Sequence, residues 1–267
     1  MTMKISKISE PDRPSARQLA LFLSRYSACL LGAGATCIRM EKNVARIAEA
    51  YGKEAELTIM PRHIHISIHE GRDCEVTTTI ATVKKQAINF NLNSELSKLS
   101  WEIADRRIGF DKAIGQFDIL TETCRQHDKW LVMLLVAIAN ASFCRLFGGD
   151  AAAMAVVGIA TLAGYYLKIS LLEKGTDQRL TWIACSFVST ILGASCQLFA
   201  IGSTPDIAIA TSVLYLVPGI PFINSFSDLI YQHYLCSLSR FADAMVLTCC
   251  LSAGMCAGMM LMEAGMF

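Results

Sequence analysis

The sequence predicts a mostly α-helical protein, with a small cytoplasmic α+β domain followed by a five-helix transmembrane bundle with a broken fourth helix. Three observations carry this. Hydrophobic residues make up 53% of the 267 residues, and the mean hydropathy of +0.41 is high for a soluble domain. Charge is unevenly spread: residues 1–129 hold 19 of the 24 Lys and Arg and 16 of the 23 Asp and Glu. The apolar remainder contains "LVPGIPFINSFSDL" at 216–229, where two prolines and a glycine interrupt any helix and polar residues follow. The expected domains are therefore 1–128, polar, and 129–267, membrane-spanning.

In the polar domain, Leu19, Phe22, Leu23, Tyr26 and Leu30 recur at helical spacing until Gly32 and Gly34. A second helix runs from Thr36 to Tyr51, with Met40, Val44, Ile47, Ala48 and Tyr51 on one face and Gly52 as terminator. The period then changes. Glu56 to Met60, Arg62 to His69 and Cys74 to Thr79 read as strands, with Glu70-Gly71-Arg72-Asp73 as a turn. Two amphipathic helices follow, one carrying Leu92, Leu96, Leu99 and Ile103, the other starting at Asp111 with Ile114, Phe117 and Leu120.

The apolar half divides into spans at about 130–147, 151–172, 180–201, 207–231 and 244–262. Each is near the ~20 residues that cross a ~30 Å hydrocarbon core. The expected connectors are Gly148–Asp150, Glu173–Arg179, Gly202–Asp206 and His233–Asp243. Arg125, Lys129, Lys168, Lys174, Arg179 and Arg240 fall on one side and Arg145 alone on the other, which puts the amino-terminal half in the cytoplasm and the carboxy-terminus outside. No secretory signal is visible in the first residues.

Several function classes lose their support. A near-neutral charge of +1 and no basic stripe with interleaved aromatics argue against nucleic acid. The eleven cysteines form no C-x-x-C pair and read as small membrane hydrophobes. "HIHISIH" puts His63, His65 and His69 on one strand face, a weak candidate metal site that no cysteine or carboxylate of the same strand completes. Lys84-Lys85 and Arg106-Arg107 read as solvated faces. No nucleophile elbow, H-E-x-x-H or phosphate loop supports an enzyme.

Four stretches together carry a family resemblance: "GAGATCIRMEKNVARIAEAYG", "MPRHIHISI", the "WLV" opening the first span, and "TPDIAIATSVLYLVPGIPFINSFSDL". With them the chain resembles the bacterial threonine/serine exporter family from about residue 15 onward. Val217-Pro218-Gly219-x-Pro221-x-x-Asn224 is the most specific part. More narrowly, the chain is similar to the separate amino-terminal half of two-component exporters. The resemblance implies a multi-pass protein of the bacterial inner membrane and a second, smaller five-span membrane protein as partner. It also implies threonine, serine or, in some two-component members, succinate as exported substrate.

The physics of the interrupted span agrees with transport. Ile207 to Val217 is eleven residues, about 16 Å of helix, so the break is expected near the bilayer midplane. Irregular backbone at that depth is tolerated where it is buried in protein or lines a watery cavity. Carbonyls ending one half-helix suit an ammonium, and amides opening the next suit a carboxylate. The expected substrate path holds Pro218, Gly219, Pro221, Asn224, Ser225 and Asp228, with Asn140 and Gln197 as further polar candidates. An aspartate in a span points to substrate contact or proton carriage, against the alternative of a solvated interfacial carboxylate. An ionised Asp228 would repel a dicarboxylate, which tilts the sequence reading toward threonine or serine. Gly254-x-x-x-Gly258 reads as helix packing, within the chain or with the partner. The reading needs no cofactor and leaves coupling to the proton gradient open. A membrane-anchored hydrolase using the histidines, and a purely structural subunit, are the alternatives.

Overall fold

The computed structural model describes residues 13–69, 76–84, 88–106, 108–123, 128–200 and 202–264. The expected turn at 70–73, the start of the third strand at Cys74, and Lys85, Arg107, Arg125 and Ile201 lie outside the described residues. Two compact units form. One combines residues 1–126 with Ile223–Arg240, and the other combines His127–Phe222 with Phe241–Phe267.

In the first unit, α1 (Ala16–Gly32) starts at a capping box in which Ser15 and Gln18 bond each other's backbone amides. α2 (Cys37–Ala50) follows a tight turn in which Gly34 takes φ +91°, a conformation open to glycine. Strands β1 (Glu54–Ile59), β2 (His63–His69) and β3 (Val76–Thr82) form an antiparallel sheet in sequence order, with Leu57 opposite Ile66 and Ile66 opposite Thr79. Helices α3 (Phe90–Arg106) and α4 (Phe110–Thr123) complete the polar segment. The periodicity read from the sequence is the core observed: Leu19, Leu23, Tyr26, Leu30, Met40, Val44, Ile47, Leu96 and Ile103 are fully buried. Alternation in β2 turns Ile64, Ile66 and Ile68 inward. Tyr26 donates its hydroxyl to the Leu96 carbonyl at 2.8 Å and accepts from Asn43, and burial pushes its phenol well above the ordinary range.

The second unit holds α5 (Lys129–Leu146), α6 (Ala151–Glu173), α7 (Gln178–Leu198) and the short α8 (Pro205–Ser212). Among the described residues four helices, counting α10 (Tyr234–Ala264), are long and apolar enough to cross a membrane. Residues Pro205–Leu216 and the helix α9 (Gly219–Ile230) form a fifth apolar stretch, bent by 62°. Lys129 pairs with Glu173 at 2.7 Å, which holds the start of α5 beside the end of α6. At their other ends, Asp150 caps α6 through Ala153 and also accepts from the Ser203 amide.

These amide bonds hold the Asp150 carboxyl below its ordinary value near 3.8. A carboxylate with a lowered folded pKa stabilises above the unfolded value and loses that contribution as pH falls through the folded one. Asp150→Asn is therefore expected to reduce thermal stability at neutral pH but to make no difference once pH falls below the lowered value, measured by unfolding scans across pH.

The expected connector His233–Asp243 is a correction. From Tyr234 onward it is helix, the first turns of the 31-residue α10. No proline or glycine interrupts Tyr234–Asp243, and Cys236, Ser237 and Arg240 turn into the first unit. Cys236 and Ser237 are buried there and Arg240 is partly buried, so these polar residues belong to a packed helical face. Glycines set the packing of the second unit. A Cβ on Gly254 would meet Ser186 and the Ile183 carbonyl, and one on Gly258 would lie 3.1 Å from the Phe187 carbonyl, so this motif packs on α7 within the chain. A Cβ on Gly164 would collide with the Tyr215 hydroxyl and Ser189 Oγ. Gly164→Val is expected to cost about 1–3 kcal/mol, the usual penalty of overpacking, read from unfolding in detergent.

Candidate functional site

The interruption begins earlier than the prolines alone suggest. α8 ends at Ser212, a 3-10 turn covers Leu214–Leu216, and Val217 is extended at ψ 125°. Extended geometry is what the residue before a proline prefers. Gly219 and Pro221 belong to the first turn of α9, where a missing proline amide costs no helical bond. Beside Gly219 the space is open, with nothing within 4 Å of a built Cβ. Contacts with α7 place the break along that helix. Tyr215 bonds Ser189, near the middle of α7, and Leu216 accepts from the Trp182 indole at 2.8 Å, in its second turn. The break thus lies toward the Trp182 end.

Three of the carbonyls that end the first half are occupied. Val213 accepts from the Leu216 amide, Leu214 from Val217, and Leu216 from Trp182. They offer little to an ammonium group.

Asn224, Ser225 and Asp228 follow on α9 and face the first unit's interior. Asn224 Nδ2 donates to the Gly34 carbonyl at 2.9 Å. Ser225 and Ser237 donate their hydroxyls to each other's carbonyls, both at 2.9 Å, which ties α9 to α10. Asp228 is fully buried; its Oδ1 accepts from the Cys37 amide at 2.9 Å, and its Oδ2 lies 3.0 Å from Arg240 Nη1. Arg240 Nη2 donates to the Ala35 carbonyl at 2.8 Å. Thr36, at the N-cap of α2, makes no side-chain capping bond, so Asp228 supplies the anion that the α2 N-terminus favours. In the turn between α9 and α10, His233 Nε2 approaches Glu41 of α2 at 3.4 Å. The polar residues after the break thus seat the α9–α10 corner on the turn between α1 and α2. Asp228 is not the solvated interfacial carboxylate that the sequence held open.

The other candidates are scattered. Asn140 is buried on α5 and donates to Thr161 of α6 at 2.7 Å and to the Thr211 carbonyl of α8 at 3.1 Å. Gln197 is exposed near the end of α7. His63, His65 and His69 share the outer face of the sheet, where His69 lies 3.4 Å from Glu56 and Ser67 bonds Thr78. Among the described residues no three His, Cys, Asp or Glu side chains are grouped to hold a metal ion.

Two residues escaped the sequence reading. In the sequence Arg240 sits in a polar segment that reads as a loop and counts as an orienting charge, whereas the structure places it on α10. Lys168, counted the same way, lies inside α6, five residues before its end. Its Nζ stands 4.7 Å from the Trp182 ring centre and 5.1 Å from that of Tyr165. The Tyr165-x-x-Lys168 spacing on an apolar helix was the available signal.

With this geometry in place, residues 21–262 match the family described as "Putative threonine/serine exporter", ThrE. The chain belongs to this family. It is 25% identical over 240 residues to the "Probable succinate transporter subunit YjjP" of Klebsiella aerogenes, covering 90% of this chain and 92% of that one. It is 28% identical over 225 residues to the protein of the same name from Escherichia coli K12, covering 82% and 85%. The "Probable threonine/serine exporter" of Mycobacterium tuberculosis is 22% identical over 225 residues, which are 84% of this chain but 42% of that longer one. No solved structure matches. The match thus spans most of the two relatives named as subunits and less than half of the mycobacterial one.

Proposed function

We propose that the chain is the larger subunit of a two-part exporter that moves a small carboxylate metabolite outward across the bacterial inner membrane. The observation that carries this is the interrupted helix pair 205–230, with open space at Gly219 and a polar-faced second half. The substrate path runs past Pro218, Gly219 and Pro221, with Asn140 bracing the opposite wall through α6 and α8. Asn224, Ser225 and Asp228 hold α9 in place, so they govern transport through its position.

A dicarboxylate such as succinate is the first substrate to test. The chain covers most of two relatives named as succinate transporter subunits, and the pairing of Asp228 with Arg240 removes the repulsion that favoured amino acids. The family description and the mycobacterial relative favour threonine and serine as the second reading. A smaller five-span membrane protein is the proposed partner. Five crossings suit it, because an odd number leaves the partner to supply the inverted half. The return of Ile223–Arg240 to the unit of residues 1–126 supports the odd count. The basic asymmetry that remains, Arg125, Lys129, Lys174 and Arg179 against Arg145, supports a cytoplasmic amino-terminal unit and an outside carboxy-terminus. Transport is favoured over hydrolysis because the histidines face outward from the sheet and Ser67 bonds a threonine.

Two measurements test this reading. A reporter active only outside the cytoplasm is expected to work when fused after Phe267 and to fail when placed in the 173–179 connector. The opposite pattern would overturn the topology. In cells loaded with succinate or threonine, co-expression with the five-span partner is expected to raise export, and the chain alone to give little. No export of either compound by the pair would overturn the function.

A further inference from the structure

A charged side chain inside an apolar span faces bundle interior or water and is matched there by some partner. Lys168 meets only half of that condition. Five residues from the end of α6, a lysine normally extends toward the nearer end to reach water. Here the ammonium instead lies over Tyr165, one turn back into the span, and over Trp182 of the neighbouring α7. That is the direction in which helical side chains lean. Among the described residues no carboxylate forms an ion pair with it. The two rings attract the cation through their faces but do not neutralise it.

The position of this cation is as informative as its charge. The ring of Trp182 that carries Lys168 on its face gives its indole N–H to the Leu216 carbonyl, the last residue of the 3-10 turn before the break. Tyr165 in turn lies 6.2 Å, ring to ring, from Tyr215 in the same turn, and Tyr215 is fixed by Ser189. Lysine, two aromatic walls and the interruption therefore form one connected cluster inside the second unit. The Val213, Leu214 and Leu216 carbonyls at the break accept bonds from Leu216, Val217 and Trp182, while the ammonium adds a positive group to the cluster.

We infer that Lys168 binds a carboxylate of the substrate, with Tyr165 and Trp182 as the walls of the site. The inference rests on the transport reading for its physiological meaning and names the residue that reads the substrate's charge. A carboxylate draws the ammonium off the Trp182 face, and the loss of that contact is visible to the indole. Binding and the hydrogen bond to Leu216 share one side chain, so occupancy reaches the interrupted helix directly.

The test uses the full chain in lipid nanodiscs with Trp101 and Trp130 changed to Phe, which leaves Trp182 as the single indole. Sodium succinate, and separately L-threonine, is titrated at constant ionic strength against sodium chloride. A saturable change in Trp182 emission with succinate, weakened at least tenfold by Lys168→Gln and largely kept by Lys168→Arg, is the expected result. The same saturable change in Lys168→Gln, or no change beyond that of chloride with either carboxylate, would overturn the inference. Export from cells separates the two claims. Export that survives Lys168→Gln unchanged sinks the site and leaves the transporter. Lysine-dependent binding without export by the pair sinks the transporter and leaves the site.

Discussion

Asp228→Ala is expected to be among the most damaging single substitutions in the chain, at about 3–5 kcal/mol. The carboxylate is fully buried, and its removal leaves the Arg240 guanidinium without a counter-charge in a mostly dry setting. It also removes the cap of α2 at Cys37, a bond typically worth ~1 kcal/mol. Arg240→Ala is expected to cost a similar amount, because it strands Asp228 and frees the Ala35 carbonyl. The double variant is expected to cost much less than the sum, since neither charge is then left alone. Asp228→Asn tests the split. It keeps an acceptor for the Cys37 amide and loses only the charge, so it should fall between wild type and Asp228→Ala. Unfolding of the purified chain in detergent measures all four, and additive losses would show that the two groups are not paired.

Closing the helix break is expected to abolish export while leaving the protein in the membrane. Proline disfavours a continuous helix by ~3 kcal/mol and glycine by ~1 kcal/mol relative to alanine, so replacing Pro218, Gly219 and Pro221 together shifts the preference by several kcal/mol. The space beside Gly219 accepts a methyl group, and the residue before Pro218 no longer needs its extended backbone. α8 and α9 then favour one straight helix, which a 62° bend does not allow. The second half carries Asn224 and Asp228, so straightening also pulls on their bonds to Gly34 and Cys37. Export measured beside surface-normal expression should fall at least a hundredfold, whereas Gly219→Ala alone should be nearly silent. Wild-type export by the triple variant would make the break a packing feature.

Much of this was legible in the sequence, for reasons that differ by region. In α1 and α2 the apolar spacing and the stop at Gly32–Gly34 fixed both elements, because their faces bury against a single core. In β2 the alternation of His and Ile separates the two faces, and the structure turns the Ile face inward. The start of α10 is not legible locally, because its polar residues read as a loop. Ser237 and Arg240 are polar for long-range partners in the α1–α2 turn and α9, which local pattern does not carry. The same holds for the candidate site. Asn224 and Asp228 were found from their four-residue spacing, but not that their partners lie about 190 residues earlier. Lys168 was read by its nearness to a span end, and only the fold shows that it leans inward.

The central claim is that this chain, with a smaller partner, carries a small carboxylate across a membrane. Its most direct measurement is release of labelled succinate and labelled threonine from sealed liposomes containing the purified chain and the five-span protein. Release of at least one of them that requires both proteins, and that stops when Pro218, Gly219 and Pro221 are alanine, is the expected result. Liposomes that hold both labels as tightly as protein-free ones would contradict the account.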